Sequence, residues 1–280
     1  MDISGTPSTT LKNGIKMPFL GLGTYRALGE SCVEAVKFAL NHGYSMIDTA
    51  QAYENEPQVG DGWKASGRKR ADVFITTKIR DGNQGHKSTL KSFETSLANL
   101  QTDYVDLLLI HWPSIQDFDR TIATWQVMTE LYREGLCKSI GVCNFTIPLL
   151  HNLIEKTGIV PMVNQVEFHP FLYQKELFSF CNQEEIQVEA YTPITRGKFF
   201  HHNAVQQIAK KHQKTPAQVM LAWSVQHNIA VIPKSANEDR ILENSDIFFN
   251  LDSQDMKTLD NVKPQTRLIT PPDAPPSWKS

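Results

Sequence analysis

Asp106-Leu-Leu-Leu-Ile110-His111-Trp112-Pro113 is an aliphatic run that breaks off sharply into polar and ring-bearing residues. Such a run has no polar face, so it fits a strand covered by helices on both sides. Segments of helical period flank it, at 88–100 and 121–134. The same alternation extends in both directions. Strands are predicted at 19–24, 45–48, 73–77, 105–110, 138–142, 162–167, 188–192 and 229–233, and further helices at 31–41, 148–156, 174–182, 204–211 and 216–226. Eight strand–helix repeats in 280 residues predict an α/β fold, a closed (β/α)8 or TIM barrel, over residues 1–280 as one domain. Thr215, Pro216 and Gln218 have the spacing of a capping box with proline in the first turn. Ahead of the first strand, Asn13-Gly14 between short alternating runs predicts a β-hairpin that plugs the bottom of the barrel. Pro271-Pro272 through Trp278 cannot be helical and reads as a short surface tail.

Composition narrows the function. A formal net charge of −2 gives no electrostatic case for nucleic acid or an anionic membrane. No apolar run approaches the roughly 20 residues of a membrane helix. The opening Met1–Thr10 lacks the basic and apolar regions of a secretory signal. Cys32, Cys137, Cys143 and Cys181 have no metal-ligand spacing, so a reduced cytoplasmic setting without a metal is expected; the chain is expected to be a monomer.

In such barrels chemistry collects where strands finish. Here consecutive strands end in Ile47-Asp48-Thr49 with Tyr53 following, in Thr77-Lys78, and in Ile110-His111-Trp112. Together these side chains make sense for carbonyl reduction. Hydride arriving at a carbonyl carbon leaves negative charge on oxygen, which needs a proton and hydrogen-bond donors. A free phenol, with a pKa of about 10, is a poor acid near neutrality, and an adjacent ammonium favours its anion. The reading assigns Tyr53 as acid/base, Lys78 as its tuner, Asp48 as the lysine's partner and His111 as the donor that orients the carbonyl. Taken singly, each has an ordinary alternative: a loop cap, a solvated strand end, a core histidine, a packing tyrosine. Their arrival on one rim is the argument.

The end of the last strand carries a second signal. Ser235 and Glu238 have capping-box spacing at a helix start, with Lys234 and Arg240 alongside, a set that suits a phosphate monoester. A nicotinamide ring would stack on Tyr191, with Asn144 and Gln165 binding its carboxamide. Gly21-Leu-Gly23-Thr24-Tyr25 is no dinucleotide fingerprint, since no third glycine precedes a helix. Two other classes remain in view: a binder that kept the fold, and a barrel glycosidase using Asp48 and Glu167.

At this point the sequence resembles an aldo-keto reductase. The resemblance runs from the first strand to about Asn244 and rests on Ile47-Asp48-Thr49-Ala50, Tyr53-Glu54-Asn55-Glu56, Thr77-Lys78, Ile110-His111-Trp112-Pro113, Gly141 to Phe145, Asn164-Gln165 and Pro233-Lys234-Ser235 with Arg240. It implies a tetrad of Asp48, Tyr53, Lys78 and His111 and an NADPH laid across the rim. Cofactor contacts would come from Gly23, Thr24, Tyr25, Asp48, Cys143, Asn144, Gln165 and Tyr191. Thr192, Pro193 and Ile194 would continue them, Lys234, Ser235 and Arg240 would hold the 2′-phosphate, and Glu243 and Asn244 would reach adenine. The substrate, a small carbonyl compound, would meet Tyr25, His111 and Trp112. Within the family the chain is most similar to the prokaryotic-type 2,5-diketo-D-gluconate and methylglyoxal reductases. It departs at Cys143, where the family usually has serine. Short connections at 114–120 and 194–201 imply an open, unselective pocket.

Overall fold

The structure, a computed structural model, describes residues 6–269. It opens with the expected antiparallel hairpin, β1 (Ser8–Thr10) and β2 (Lys16–Pro18), turning at Asn13-Gly14, where Gly14 takes φ +85°. Asn13 Nδ2 donates to the carbonyl of Lys138 at 2.8 Å, and Thr9 Oγ1 donates to Gln187 Oε1 at 3.0 Å. Lys138 lies just before the strand Ile140–Cys143 and Gln187 begins the strand Gln187–Tyr191, so the hairpin covers the N-terminal end of the barrel. Met17, 0% exposed, fills the space beneath it.

The chain then alternates: β3 (Leu22–Gly23), α1 (Gly29–Asn41), β4 (Met46–Asp48), α2 (Glu56–Ala65), β5 (Phe74–Ile79), α3 (His86–Leu100), β6 (Leu107–Ile110) and α4 (Phe118–Arg133). It continues through β7 (Ile140–Cys143), α5 (Ile147–Thr157), β8 (Val163–Glu167), α6 (Lys175–Gln183), β9 (Gln187–Tyr191), α7 (Asn203–His212), α8 (Pro216–Gln226), β10 (Ala230–Val231), α9 (Glu238–Ser245) and α10 (Ser253–Asp260). Strands β3 to β10 form one parallel sheet in sequence order. The sheet closes on itself. Leu20 bridges Val231 and Gly23 bridges Lys234, with Gly21 N donating to Val231 O at 2.9 Å. A β-carbon on Gly23 would lie 2.7 Å from the Ile232 carbonyl oxygen, so this glycine is required for closure rather than for a tight turn.

Aliphatic residues of the strands, such as Leu107 to Ile110, are fully buried between the barrel interior and the helical ring. Helix α8 buries Ala217 through Ser224 continuously, as expected of a helix that is apolar all round. Its capping box forms as read: Thr215 Oγ1 accepts from Gln218 N, and Gln218 Oε1 accepts from Thr215 N.

Other expectations need correction. Helix α2 was not foreseen, because Pro57, Gly60 and Gly62 weaken any helical reading. Its glycines serve packing: a β-carbon on Gly60 would collide with the Asn99 carbonyl, and one on Gly62 would meet the Val33 carbonyl at 2.8 Å. Helix α10 was also missed. Its box is Asp252 with Asp255, outside the usual Ser/Thr–Glu pattern. The Ser235–Glu238 box does not form. Asn237, an equally good cap, accepts from Arg240 N at 3.0 Å, while Ser235 Oγ accepts from Asn237 N.

After α10 the chain returns over the C-terminal face of the barrel. The fully buried Glu167 carboxylate accepts from Leu268 N at 2.7 Å, Ile269 N at 2.8 Å and His169 Nε2 at 3.0 Å. Gln265 Nε2 adds a bond to the Pro170 carbonyl. The tail reading at 271–278 lies outside the described residues. Among the described residues no helix is long and apolar enough to cross a membrane.

Candidate active site

Asp48 ends β4 and points into the barrel, 1% exposed. A single 3-10 turn, Gln51–Tyr53, then brings Tyr53 back over the same opening. Two neighbours that carried no assignment pin this loop. Asn55 Nδ2 donates to the carbonyls of Thr24 and Ala27, its Oδ1 accepts from Thr49, and Glu56 accepts from Thr77 Oγ1 at 2.6 Å. Glu54 turns through φ +56° to allow it. Lys78, on β5, is fully buried rather than a solvated strand end. Its Nζ donates to Asp48 Oδ1 at 2.6 Å, to the Thr49 carbonyl at 2.9 Å and to the Tyr53 hydroxyl at 3.3 Å. The His111 ring stands edge-on to Tyr53, centroids 5.6 Å apart, and Tyr25 packs on Tyr53 from the other side at 5.2 Å. The four expected side chains meet.

Burial sets their protonation. Removal from water opposes the Lys78 charge, but Asp48 and the Tyr53 oxygen outweigh it and hold the ammonium above its ordinary range. Burial pushes Asp48 up, against the pull of Lys78 and the Gln165 amide. Tyr53 was expected to be lowered by its lysine. Instead, burial pushes the phenol up to about 12, with Lys78 only partly offsetting the rise. Burial, helped by the Lys78 charge, lowers His111 to about 3. Near neutrality the cleft therefore holds a neutral phenol and a neutral imidazole beside a carboxylate–ammonium pair.

The opening above them is a cleft of about 930 Å³. One end is lined by Asp48, Tyr53, His111 and Trp112, the other by Lys234, Ser235, Arg240, Glu243 and Asn244. Asn144, Gln165, Tyr191, Thr192, Pro193 and Ile194 line it as well. A closed barrel whose strand ends converge on one such cleft narrows the possibilities, and comparison with known proteins decides among them. A profile of the aldo/keto reductase family matches residues 20–264. The chain belongs to the aldo/keto reductase family. It is 45% identical to the glyoxal reductase of Bacillus subtilis (strain 168), over 98% of this chain and 99% of the relative. It is 41% identical to the methylglyoxal reductase DkgA of Escherichia coli (strain K12), over 94% and 96%. A crystal structure of a Gox0644 mutant in complex with NADPH superposes with a TM-score of 0.87 at 37% identity, covering 92% of this chain and 93% of that one.

In this aldo/keto reductase the middle of the cleft is shaped by side-chain pairing. Asn144, in the left-handed region at φ +63°, donates from Nδ2 to the His111 carbonyl at 3.1 Å and accepts from the Tyr191 hydroxyl at 2.8 Å. Gln165 Nε2 donates to Asp48 Oδ2 at 2.8 Å and to Glu189 Oε2 at 2.7 Å. Asn144 thus keeps one N–H, and Gln165 its carbonyl oxygen, for a ligand.

Most of the expected cofactor residues line the cleft, Gly23 and Tyr25 included, but two do not. The Thr24 hydroxyl is spent on the Asp48 carbonyl at 2.9 Å, and Cys143 is 1% exposed beneath the cleft floor. Several lining residues went unread, Arg26, Arg196, Phe200 and Ile269 among them. Arg196 sits in a run of left-handed residues that sequence alone does not foretell, and Ile269 arrives only because Glu167 holds the returning chain. That grip also removes the glycosidase reading. Both Glu167 oxygens are occupied by backbone N–H groups, and the residue does not line the cleft.

Proposed function

We propose that the protein reduces small aldehydes and ketones to alcohols, with hydride from the nicotinamide of NADPH and the proton from Tyr53. The observation that carries this is the unbroken contact from Asp48 through Lys78 to the Tyr53 hydroxyl, which lines the cleft. The residues present suit the cofactor. A carboxamide carries one donor group and one acceptor, matching the Asn144 N–H and the Gln165 carbonyl oxygen left unspent. At the far end Arg196, Lys234 and Arg240 have no acidic partner among the described residues, so their charge is available to phosphates.

When bound, NADPH supplies the hydride. The protein supplies the rest. His111, neutral, donates one ring N–H to the substrate oxygen and fixes its direction. Tyr53 gives its proton to that oxygen as negative charge grows there, and Lys78 stabilises the phenolate left behind. Asp48 keeps Lys78 charged and aimed. Trp112 and Tyr25 wall the space for a small carbonyl. The names of the relatives point the same way, one for glyoxal and one for methylglyoxal. Four buried, unpaired thiols support a reducing, cytoplasmic setting.

A panel of methylglyoxal, glyoxal, a nitrobenzaldehyde and keto-sugar acids, assayed by loss of NADPH absorbance, tests the reading. The dicarbonyls and the aromatic aldehyde are expected to turn over. Loss of NADPH with none of them would overturn the assignment of a carbonyl reductase.

A further inference from the structure

Glu189 has no part in the mechanism above, yet it lies fully buried directly below the cleft. It pairs in register with Gln165 on the neighbouring strand, so both side chains enter the barrel interior together. The Gln165 amide nitrogen lies between two carboxyl groups, Asp48 at 2.8 Å and Glu189 at 2.7 Å. Since Asp48 is the ionised partner of Lys78, the atom facing it must be the nitrogen, and its second hydrogen then goes to Glu189. A continuous chain results: Glu189 to Gln165, Gln165 to Asp48 Oδ2, Asp48 Oδ1 to Lys78 at 2.6 Å, and Lys78 to the Tyr53 hydroxyl at 3.3 Å.

The charges in this sealed interior do not balance if every acid is ionised. Lys78 from β5 is the cation, Asp48 from β4 neutralises it, and Cys143 from β7 and Gln165 from β8 bring no positive charge. The remaining Glu189 oxygen, Oε1, has no hydrogen-bond partner among the described residues, which suits a neutral carboxyl better than a buried anion.

We propose that Glu189 is a positioning residue of the reduction: as a neutral carboxyl it fixes the Gln165 amide against Asp48, and its ionisation adds a second negative charge beside the Asp48–Lys78 pair that slows proton delivery from Tyr53. The inference rests on the functional reading above. Burial, with Asp48 adding to it, pushes Glu189 up to about 8, although Gln165 and Lys78 pull the other way. A carboxylate there draws on the same Lys78 charge that must stabilise the Tyr53 phenolate, so the phenol is a weaker acid above that pH. Reduction therefore falls as pH rises through about 8. Neither His111, at about 3, nor Tyr53, at about 12, titrates in that window.

The test is kcat/KM for NADPH-dependent reduction measured from neutral to alkaline pH in wild type and Glu189→Gln. Glutamine keeps a carbonyl oxygen for Gln165 but cannot ionise. Wild type is expected to show an alkaline fall that levels off once Glu189 is fully ionised, and E189Q to lose it, so that the alkaline-to-neutral activity ratio rises about fivefold or more. Superimposable profiles in an active enzyme would overturn the Glu189 inference alone. Absence of carbonyl reduction in wild type at every pH would overturn the functional reading instead. Infrared spectroscopy gives an activity-free check on wild type. A protonated-carboxyl C=O band is expected near neutral pH, lost at alkaline pH and missing from E189Q; no such band would also overturn the inference.

Discussion

Tyr53→Phe is expected to lower kcat/KM for aldehyde reduction by at least about a hundredfold, the usual contribution of a positioned general acid. The cause is specific. Among the described residues the hydroxyl that Lys78 contacts over the cleft is that of Tyr53, and the His111 ring beside it is held neutral by burial. Phenylalanine keeps the ring packing against Tyr25 and His111, so the loop and the cofactor groove should stay in place. NADPH binding, followed by fluorescence quenching, is expected to change by less than about threefold. Substantial turnover in this variant would remove Tyr53 as the proton donor.

The second large effect concerns the far end of the cleft. Lys234 and Arg240 line it without acidic partners among the described residues, and Ser235 lies between them in sequence. A charge-assisted hydrogen bond to the 2′-phosphate is worth about 1.5–3 kcal/mol, or about tenfold or more in affinity for each contact. NADPH is thus expected to bind about a hundredfold more tightly than NADH. Lys234→Ala and Arg240→Ala should each weaken NADPH by about tenfold and leave NADH nearly unchanged. Titration calorimetry that found equal affinities for the two cofactors would show that these cations serve something else.

Much of this was legible in the sequence, and for physical reasons. Buried parallel strands must be aliphatic on both faces, so 105–110 and 162–167 announced themselves, and residues just past them had to sit at the rim. Asp48, Tyr53, Lys78 and His111 were singled out from that placement together with the chemistry a carbonyl reduction needs. What stayed hidden depended on contacts distant in sequence. Gly60 and Gly62 weaken a helix by propensity yet are needed where α2 meets α3 and α1. The role of Glu167 required a chain segment about a hundred residues later to return and donate its backbone. The direction of the Tyr53 shift was misjudged because the lysine was visible in the sequence and the depth of burial was not. Asn237 took the cap assigned to Ser235 because two competent caps stood side by side, and sequence spacing does not choose between them.

The most direct measurement of direct hydride delivery beside a phenol donor is isotope transfer. NADPH carrying deuterium at the transferable position of its nicotinamide is mixed with methylglyoxal or a nitrobenzaldehyde in ordinary water, and the product is analysed by mass spectrometry. One deuterium on the former carbonyl carbon, and none on the alcohol oxygen after exchange, is the expected result. An alcohol product free of deuterium at that carbon would contradict it.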